Sequence, residues 1–149
     1  VRRAIIVDLD GTACNNAHRT HYVDGSQPKD WDKFNALSAF DPHNDWCIDL
    51  IQAFNLLGHK IVFLTARSGS PSTKKITEDW LMTHVGPGID YELLMRKDGD
   101  YRPDYVVKEE IYRNDIATRY EVVLAVDDKK RVCDMWRDIG VIALHCEGT

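Results

Sequence analysis

Asp8 and Asp10 stand one residue apart at the end of an apolar run, and Asp127 and Asp128 are adjacent at the end of another. Between them come Thr65 and Arg67, again closing an apolar run, then Arg96 and Lys108. Four carboxylates gathered into a small volume cannot all stay ionised without a cation, and hard oxygen donors suit magnesium. A cation held there attracts a phosphate, and Lys108 with the Thr65 hydroxyl would hold the remaining phosphoryl oxygens and offset charge as it develops. These residue types therefore point to phosphoryl transfer, provided that the fold brings residues 8, 10, 65, 108, 127 and 128 together.

The pattern around them predicts such a fold. Ala4 to Leu9 is a continuous apolar, β-branched run ending at Asp10-Gly11-Thr12, as a buried parallel strand ends, and it reads as the central strand. Residues 13 to 43 lack sustained periodicity and form a loop-rich insert with a short helix near Trp31 to Leu37. Asn44 is placed to cap a helix whose apolar positions are Cys47, Leu50, Ile51, Phe54 and Leu57, with Gly58 where a C′ glycine belongs. A strand follows at Lys60 to Leu64. Ser70-Pro71 opens a helix running to about Val85, before Gly86-Pro87-Gly88. A strand at Tyr91 to Met95, a helix from Val106 to Ala117, a strand at Val122 to Val126, a helix from Lys129 to Ile139 and a strand at Val141 to Leu144 complete the series. This alternation predicts an α/β fold: a central parallel five-stranded sheet with helices on both faces, right-handed crossovers, and a site at the carboxyl ends of the strands.

The 149 residues are enough for one good core, and residues 1–149 read as a single domain. Hydrophobic residues at 44% and charged residues at 29% are ordinary values for a folded chain. No apolar run is long enough to span a bilayer, and no signal peptide or membrane partner is indicated. The four cysteines form no CxxC pair, which fits reduced thiols in a cytoplasm better than a disulfide framework or a zinc site. A net charge of -5 argues against a protein that coats nucleic acid, although it leaves room for one that binds a single end.

Asp8-Leu9-Asp10-Gly11-Thr12, Thr65, Lys108 and Asp127-Asp128 resemble the four motifs of the haloacid dehalogenase superfamily, in order. A closer resemblance covers nearly the whole chain. Met95 to Arg102, Asp104, Val106 to Ile111, Leu124 to Asp128 and Met135-Trp136-Arg137 are similar to the 3′-phosphatase domain of bacteriophage polynucleotide kinase/phosphatase. Two departures are visible: Ala13-Cys14 follows the first motif where the family has leucine, and Thr65-Ala66-Arg67 stands where the family resembles Ser-Gly-Arg. The hydroxyl and the arginine survive the second change. No GxxxxGK[ST] phosphate loop occurs, so a kinase half would lie outside these residues, as would any ligase partner.

The resemblance implies a three-layer Rossmann-like fold with minimal cap inserts and removal of 3′-phosphate ends from DNA or RNA during strand repair. Asp8 would be the nucleophile and Asp10 the general acid and base, a role that calls for a pKa raised by neighbouring carboxylates. Asp8, Asp10 through its carbonyl, and the Asp127-Asp128 pair would form the Mg2+ shell. Asp128 is favoured as the direct ligand, with Asp127 ligating through water or orienting Lys108. Thr12, Arg67, Arg96 and Arg102 are candidates for binding the substrate, the arginines through its flanking phosphates.

Lys129-Lys130-Arg131 reads as local charge balance, and His18 and His21 as exposed loop residues. Trp46, Trp80 and Trp136 fall in helical patterns and are expected in packing, which leaves Trp31 as the tryptophan placed to stack on a base. Two rival readings remain: a phosphatase for mononucleotides or other small esters, and a catalytically idle module that binds phosphorylated ends. Intact Asp8 and Asp10 oppose the second.

Overall fold

Apolar residues on both sides of a strand demand cover on both faces, and the chain supplies it. In the computed structural model, which describes residues 1–25 and 28–149, β1 (Arg2–Val7) lies at the centre of a five-stranded sheet. The other strands are β2 (Lys60–Ser68), β3 (Tyr91–Arg96), β4 (Tyr120–Asp127) and β5 (Ala143–His145). All pair in parallel, in the order β3-β2-β1-β4-β5.

Successive residues of β1 point to opposite faces. Ala4 and Ile6 join Val62, Leu64 and Ala125 against Val132, Met135 and Trp136 of α6 (Lys130–Asp138), with Ile116 below α5 (Asp104–Ile111). Ile5 and Val7 join Ile61 and Phe63 against Cys47 and Ile51 of α3 (Asp45–Leu56) and Trp80 and Leu81 of α4 (Pro71–His84). The result is the expected three-layer α/β arrangement. The strand order reverses between β1 and β4, which opens a crevice at their carboxyl ends where such sheets bind ligands.

Several boundaries differ from the expectation for local reasons. β2 continues past Leu64 to Ser68, with a shift in its pairing to β3 between Thr65 and Ser68. α5 starts at Asp104, because Pro103 in extended geometry precedes it, and its expected last turn is instead a π turn at Tyr112–Ile116. Asn44 does not cap α3 through its side chain, whose amide donates to the Thr12 carbonyl at 2.8 Å and so ties α3 to the first motif. Trp46, expected in packing, is exposed, whereas Trp80 and Trp136 are core residues.

The insert holds more structure than expected. It forms α1 (His21–Asp24), α2 (Trp31–Ala36) and a 3-10 turn at Leu37–Phe40. Asp30 caps α2 by accepting from the Lys33 amide at 3.1 Å. Residues 26 and 27 of the insert lie outside the described residues. Among the described residues, no helix is long and apolar enough to cross a membrane.

Candidate active site

The first motif works as a tight turn. Asp8 continues the ladder by donating its amide to Val126, after which Thr12 and Cys14 donate theirs back to Leu9. Gly11 has φ +81°, a conformation that suits glycine, and a Cβ there would overlap the Asp128 carboxylate. The glycine thus lets the carboxyl end of β4 approach that of β1.

Three carboxylates meet there. Asp8, Asp127 and Asp128 each offer an oxygen within 4.8 Å of the others. Lys108 of α5 reaches between two of them, donating to Asp8 Oδ1 at 2.8 Å and Asp127 Oδ2 at 2.6 Å. Thr12 Oγ1 donates to Asp8 Oδ2 at 2.9 Å. Asp127 Oδ1 accepts from the Lys129 amide at 3.0 Å, so both Asp127 oxygens are engaged. Asp128 Oδ1 is buried with no partner among the described residues.

Burial, with Asp127 and Asp128 nearby, pushes the Asp8 pKa well up against the pull of Lys108, and burial with Asp127 raises that of Asp128. Burial alone would depress the Lys108 pKa, but Asp8 and Asp127 outweigh it and keep the ammonium charged. Three close carboxylates served by one lysine, with an orphaned buried oxygen, are a donor set short of positive charge. A hard divalent cation fits that deficit.

Asp10 stands apart from this cluster. Its carboxylate is gripped by Arg67, through Nε at 3.1 Å and NH2 at 2.6 Å, and by Arg19 NH2. Burial would raise the Asp10 pKa, but Arg67 and Arg19 outweigh it and hold the carboxyl well below the usual carboxylate range. The expectation of an Asp10 pKa raised by neighbouring carboxylates is therefore overturned: its charged neighbours are guanidiniums.

Behind this pair lies Asp41, buried, which accepts from Arg19 Nε at 2.8 Å and NH2 at 2.6 Å and meets Arg67 NH2 at 3.5 Å. His18, exposed in a turn as expected, adds Nε2 at 2.7 Å from the same Asp41 carboxylate. Trp80 Nε1 donates to the Asp41 carbonyl at 2.9 Å. Arg19 and Asp41 were not foreseen. Both sit in the aperiodic insert, where no spacing marks a buried ion pair.

The remaining candidates take distinct places. Thr65 is buried at the site, and its Oγ1 accepts from the Arg67 amide at 3.1 Å. Thr12 is buried behind Asp8, away from solvent. Arg67 is buried too, with NH1 on Thr77 at 3.1 Å and its other nitrogens on Asp10. Arg96 braces the β3–α5 loop by donating to the carbonyls of Ala66, Asp100 and Arg102. Arg102 pairs with Asp100 and Glu110, and Arg131 with Asp104.

Asp8, Asp10, Thr65, Arg67, Arg96, Arg102, Lys108, Asp127 and Asp128 all line one open cavity of about 600 Å³, whose mouth carries Trp31 and Tyr101. The sheet thus delivers a buried carboxylate held by a lysine and a hydroxyl, and a second carboxylate on a separate arginine clamp. Such an arrangement can attack an electrophile and manage a proton from two different groups.

Comparison with known proteins gives the same direction. The family described as the polynucleotide kinase PNKP phosphatase domain matches residues 2–148. The chain is 28% identical over 140 residues to a protein of Autographa californica nuclear polyhedrosis virus named as a bifunctional polynucleotide kinase/RNA ligase, covering 93% of this chain and 18% of that one. Among solved structures it is similar to a chain of the Pnkp1/Rnl/Hen1 complex, with TM-score 0.78 and 28% identity over 98% of this chain and 46% of that one. A class C acid phosphatase from Bacillus anthracis with tungstate bound, 20% identical with TM-score 0.61, covers 93% of this chain and 61% of its own, and shares the haloacid dehalogenase-like fold. The chain spans less than half the length of the first two of these relatives.

Proposed function

Because the chain belongs to the family of polynucleotide kinase phosphatase domains, we propose that it is a magnesium-dependent polynucleotide 3′-phosphatase acting through an aspartyl-phosphate on Asp8. The observation that carries this reading is the Asp8 carboxylate fixed by Lys108 on one oxygen and Thr12 on the other, at the floor of an open cavity.

An Asp8 oxygen attacks phosphorus as the bond to the sugar 3′-oxygen breaks, and that oxygen takes a proton from Asp10. Water then attacks the phosphorus of the aspartyl-phosphate and gives up a proton to Asp10, the bond from phosphorus to the Asp8 oxygen breaks, and inorganic phosphate leaves. Splitting one displacement into two lowers each barrier. Lys108 and the Thr65 hydroxyl hold phosphoryl oxygens during both steps.

Asp10 begins in its ionised form, which suits the second step. For the first step a proton must be resident on it, and the charge of a phosphate dianion bound beside Asp10 favours that proton against the pull of the two arginines. Asp8, the Asp10 carbonyl and Asp128 would hold magnesium, while Asp127, with both oxygens engaged, orients Lys108. When bound, the ion offsets the negative charge of the carboxylates and the phosphate.

In this reading residues 1–149 act as one phosphatase domain with minimal caps, and kinase or ligase parts of the repair machinery lie outside them. The names of the relatives support that division. Four free cysteines, three of them buried, support a reducing compartment such as the cytoplasm.

The test is magnesium-dependent phosphate release from matched oligonucleotides phosphorylated at the 3′ or the 5′ end, beside a 3′-mononucleotide and an aryl phosphate. Strong preference for the 3′-phosphorylated oligonucleotide is expected. Equal or faster hydrolysis of the small esters would overturn the polynucleotide assignment in favour of a nucleotidase.

A further inference from the structure

Trp31 is a large apolar side chain left 52% exposed at the mouth of the cavity that holds Asp8. It is the first residue of α2 and does not belong to the core, unlike Trp80 and Trp136. Yet it is held in place. The buried Phe34 ring meets it edge-on, with centroids 5.6 Å apart at 87°, and the Arg19 guanidinium lies 4.3 Å from the centroid of Phe34 on its other contact. The same Arg19 grips Asp10 and Asp41.

The indole is therefore braced through two side chains against the network that positions Asp10, while half its surface remains open. Lys29 Nζ stands 5.6 Å from the Trp31 centroid, which puts a cation beside the open ring. Tyr101, 93% exposed, adds a second open ring on the β3–α5 loop at the same cavity.

An aromatic face next to a positive charge is the combination by which proteins hold single nucleotides of a strand, the ring stacking on the base and the charge meeting the phosphate. A braced ring also forfeits little freedom on binding. We propose that Trp31, with Lys29 beside it, is the surface on which the nucleobase of the 3′-terminal nucleotide stacks when its phosphate enters the site. This assignment rests on the polynucleotide phosphatase reading and adds to it a determinant that a small phosphate ester cannot use.

The test compares single-stranded 3′-phosphorylated oligonucleotides that differ only in the terminal nucleotide, which carries either its base or a stable abasic analogue. With the wild-type protein, removing the base raises KM and lowers kcat/KM by about tenfold. Trp31→Ala brings the ratio between the two substrates close to one, and Trp31→Phe keeps most of it.

A wild-type protein indifferent to the terminal base overturns the proposal, as does a Trp31→Ala variant that keeps the wild-type ratio. The wild-type comparison decides the matter even if Trp31→Ala fails to fold. Failure of the underlying reading looks different, since the wild-type protein would then release phosphate from an aryl ester and from neither oligonucleotide.

Discussion

The ammonium of Lys108 donates to Asp8 Oδ1 at 2.8 Å although a hundred residues separate the two in sequence. The same nitrogen reaches Asp127, so one charge bridges the ends of the two neighbouring strands β1 and β4. Lys108→Met would leave both carboxylates buried without their cation. Phosphate release should fall by about 10²–10³-fold, the usual loss for a positioned donor at a developing charge. Stability without magnesium should drop by about 3–5 kcal/mol, as when one partner of a buried pair is removed. Single-turnover rates and urea denaturation in EDTA check the two effects.

Asp10→Asn separates the two proton transfers assigned to that residue. An aryl phosphate has a leaving group that needs little protonation, so phosphoryl transfer to Asp8 should continue while hydrolysis of the acyl phosphate stalls. The expected record is a burst of phenol close to one equivalent, then turnover slower by about 10²–10⁴-fold. A sugar 3′-phosphate should show no burst. Rapid-quench measurements on both substrates test this, and equal slowing without a burst on either would count against the assigned role.

Gly11 and Gly58 both have positive φ, but they differ in surroundings. A Cβ at Gly11 meets Asp128, whereas one at Gly58 has nothing within 4 Å. Gly58→Ala should cost about 1–2 kcal/mol of stability from the left-handed backbone alone, with activity per folded molecule retained. Gly11→Ala should in addition displace Asp128, raise the magnesium concentration needed for half-maximal rate by more than about tenfold, and lower the rate at saturation. Magnesium titrations of the two variants distinguish them.

His84 supplies a dependence on pH remote from the chemistry. Its ring stacks on Trp80 at 4.3 Å, and its Nδ1 lies 2.9 Å from that of His43. Burial and the neighbouring His43 lower its pKa in the folded protein. A lowered histidine pKa means that the fold prefers the neutral ring, so this contribution is complete above the unfolded value of about 6.5 and is lost as pH falls through the folded value. The fall in Tm between pH 7.5 and pH 5 should therefore be smaller in His84→Phe, which keeps the stacking and removes the titration. Thermal melts at a series of pH values read this directly.

Strand ends and motif residues were legible because each is announced by an apolar run of defined length, and a parallel sheet turns sequence order into a shared edge. Asp8, Lys108 and Asp127 follow from that rule. Arg19 and Asp41 do not, since they lie in a stretch without periodicity and meet only when α1 and α2 fold back over the first motif. The direction of the Asp10 pKa was hidden for the same reason: its controlling charges include a residue that no pattern selects. Trp46 was misjudged for a simpler one. It sits a single position from Cys47 in α3, and one step around a helix turns a side chain by about 100°, off the buried stripe.

Residues 146–149 return to the first motif. Cys146 Sγ lies 3.6 Å from Thr12 Oγ1, and Thr149 Oγ1 donates to Asn16 at 2.8 Å. Thr12 in turn holds Asp8. Synthesis proceeds in the opposite order: the ribosome releases residue 8 early, Lys108 and the Asp127-Asp128 pair much later, and the segment backing Thr12 later still. A nascent chain that has emerged only through β3 carries Asp8, Asp10 and Thr65, but neither Lys108 nor the Asp127-Asp128 pair. Translation therefore leaves the carboxylate cluster open until β4 takes its place beside β1, and leaves Thr12 without its backing for a little longer.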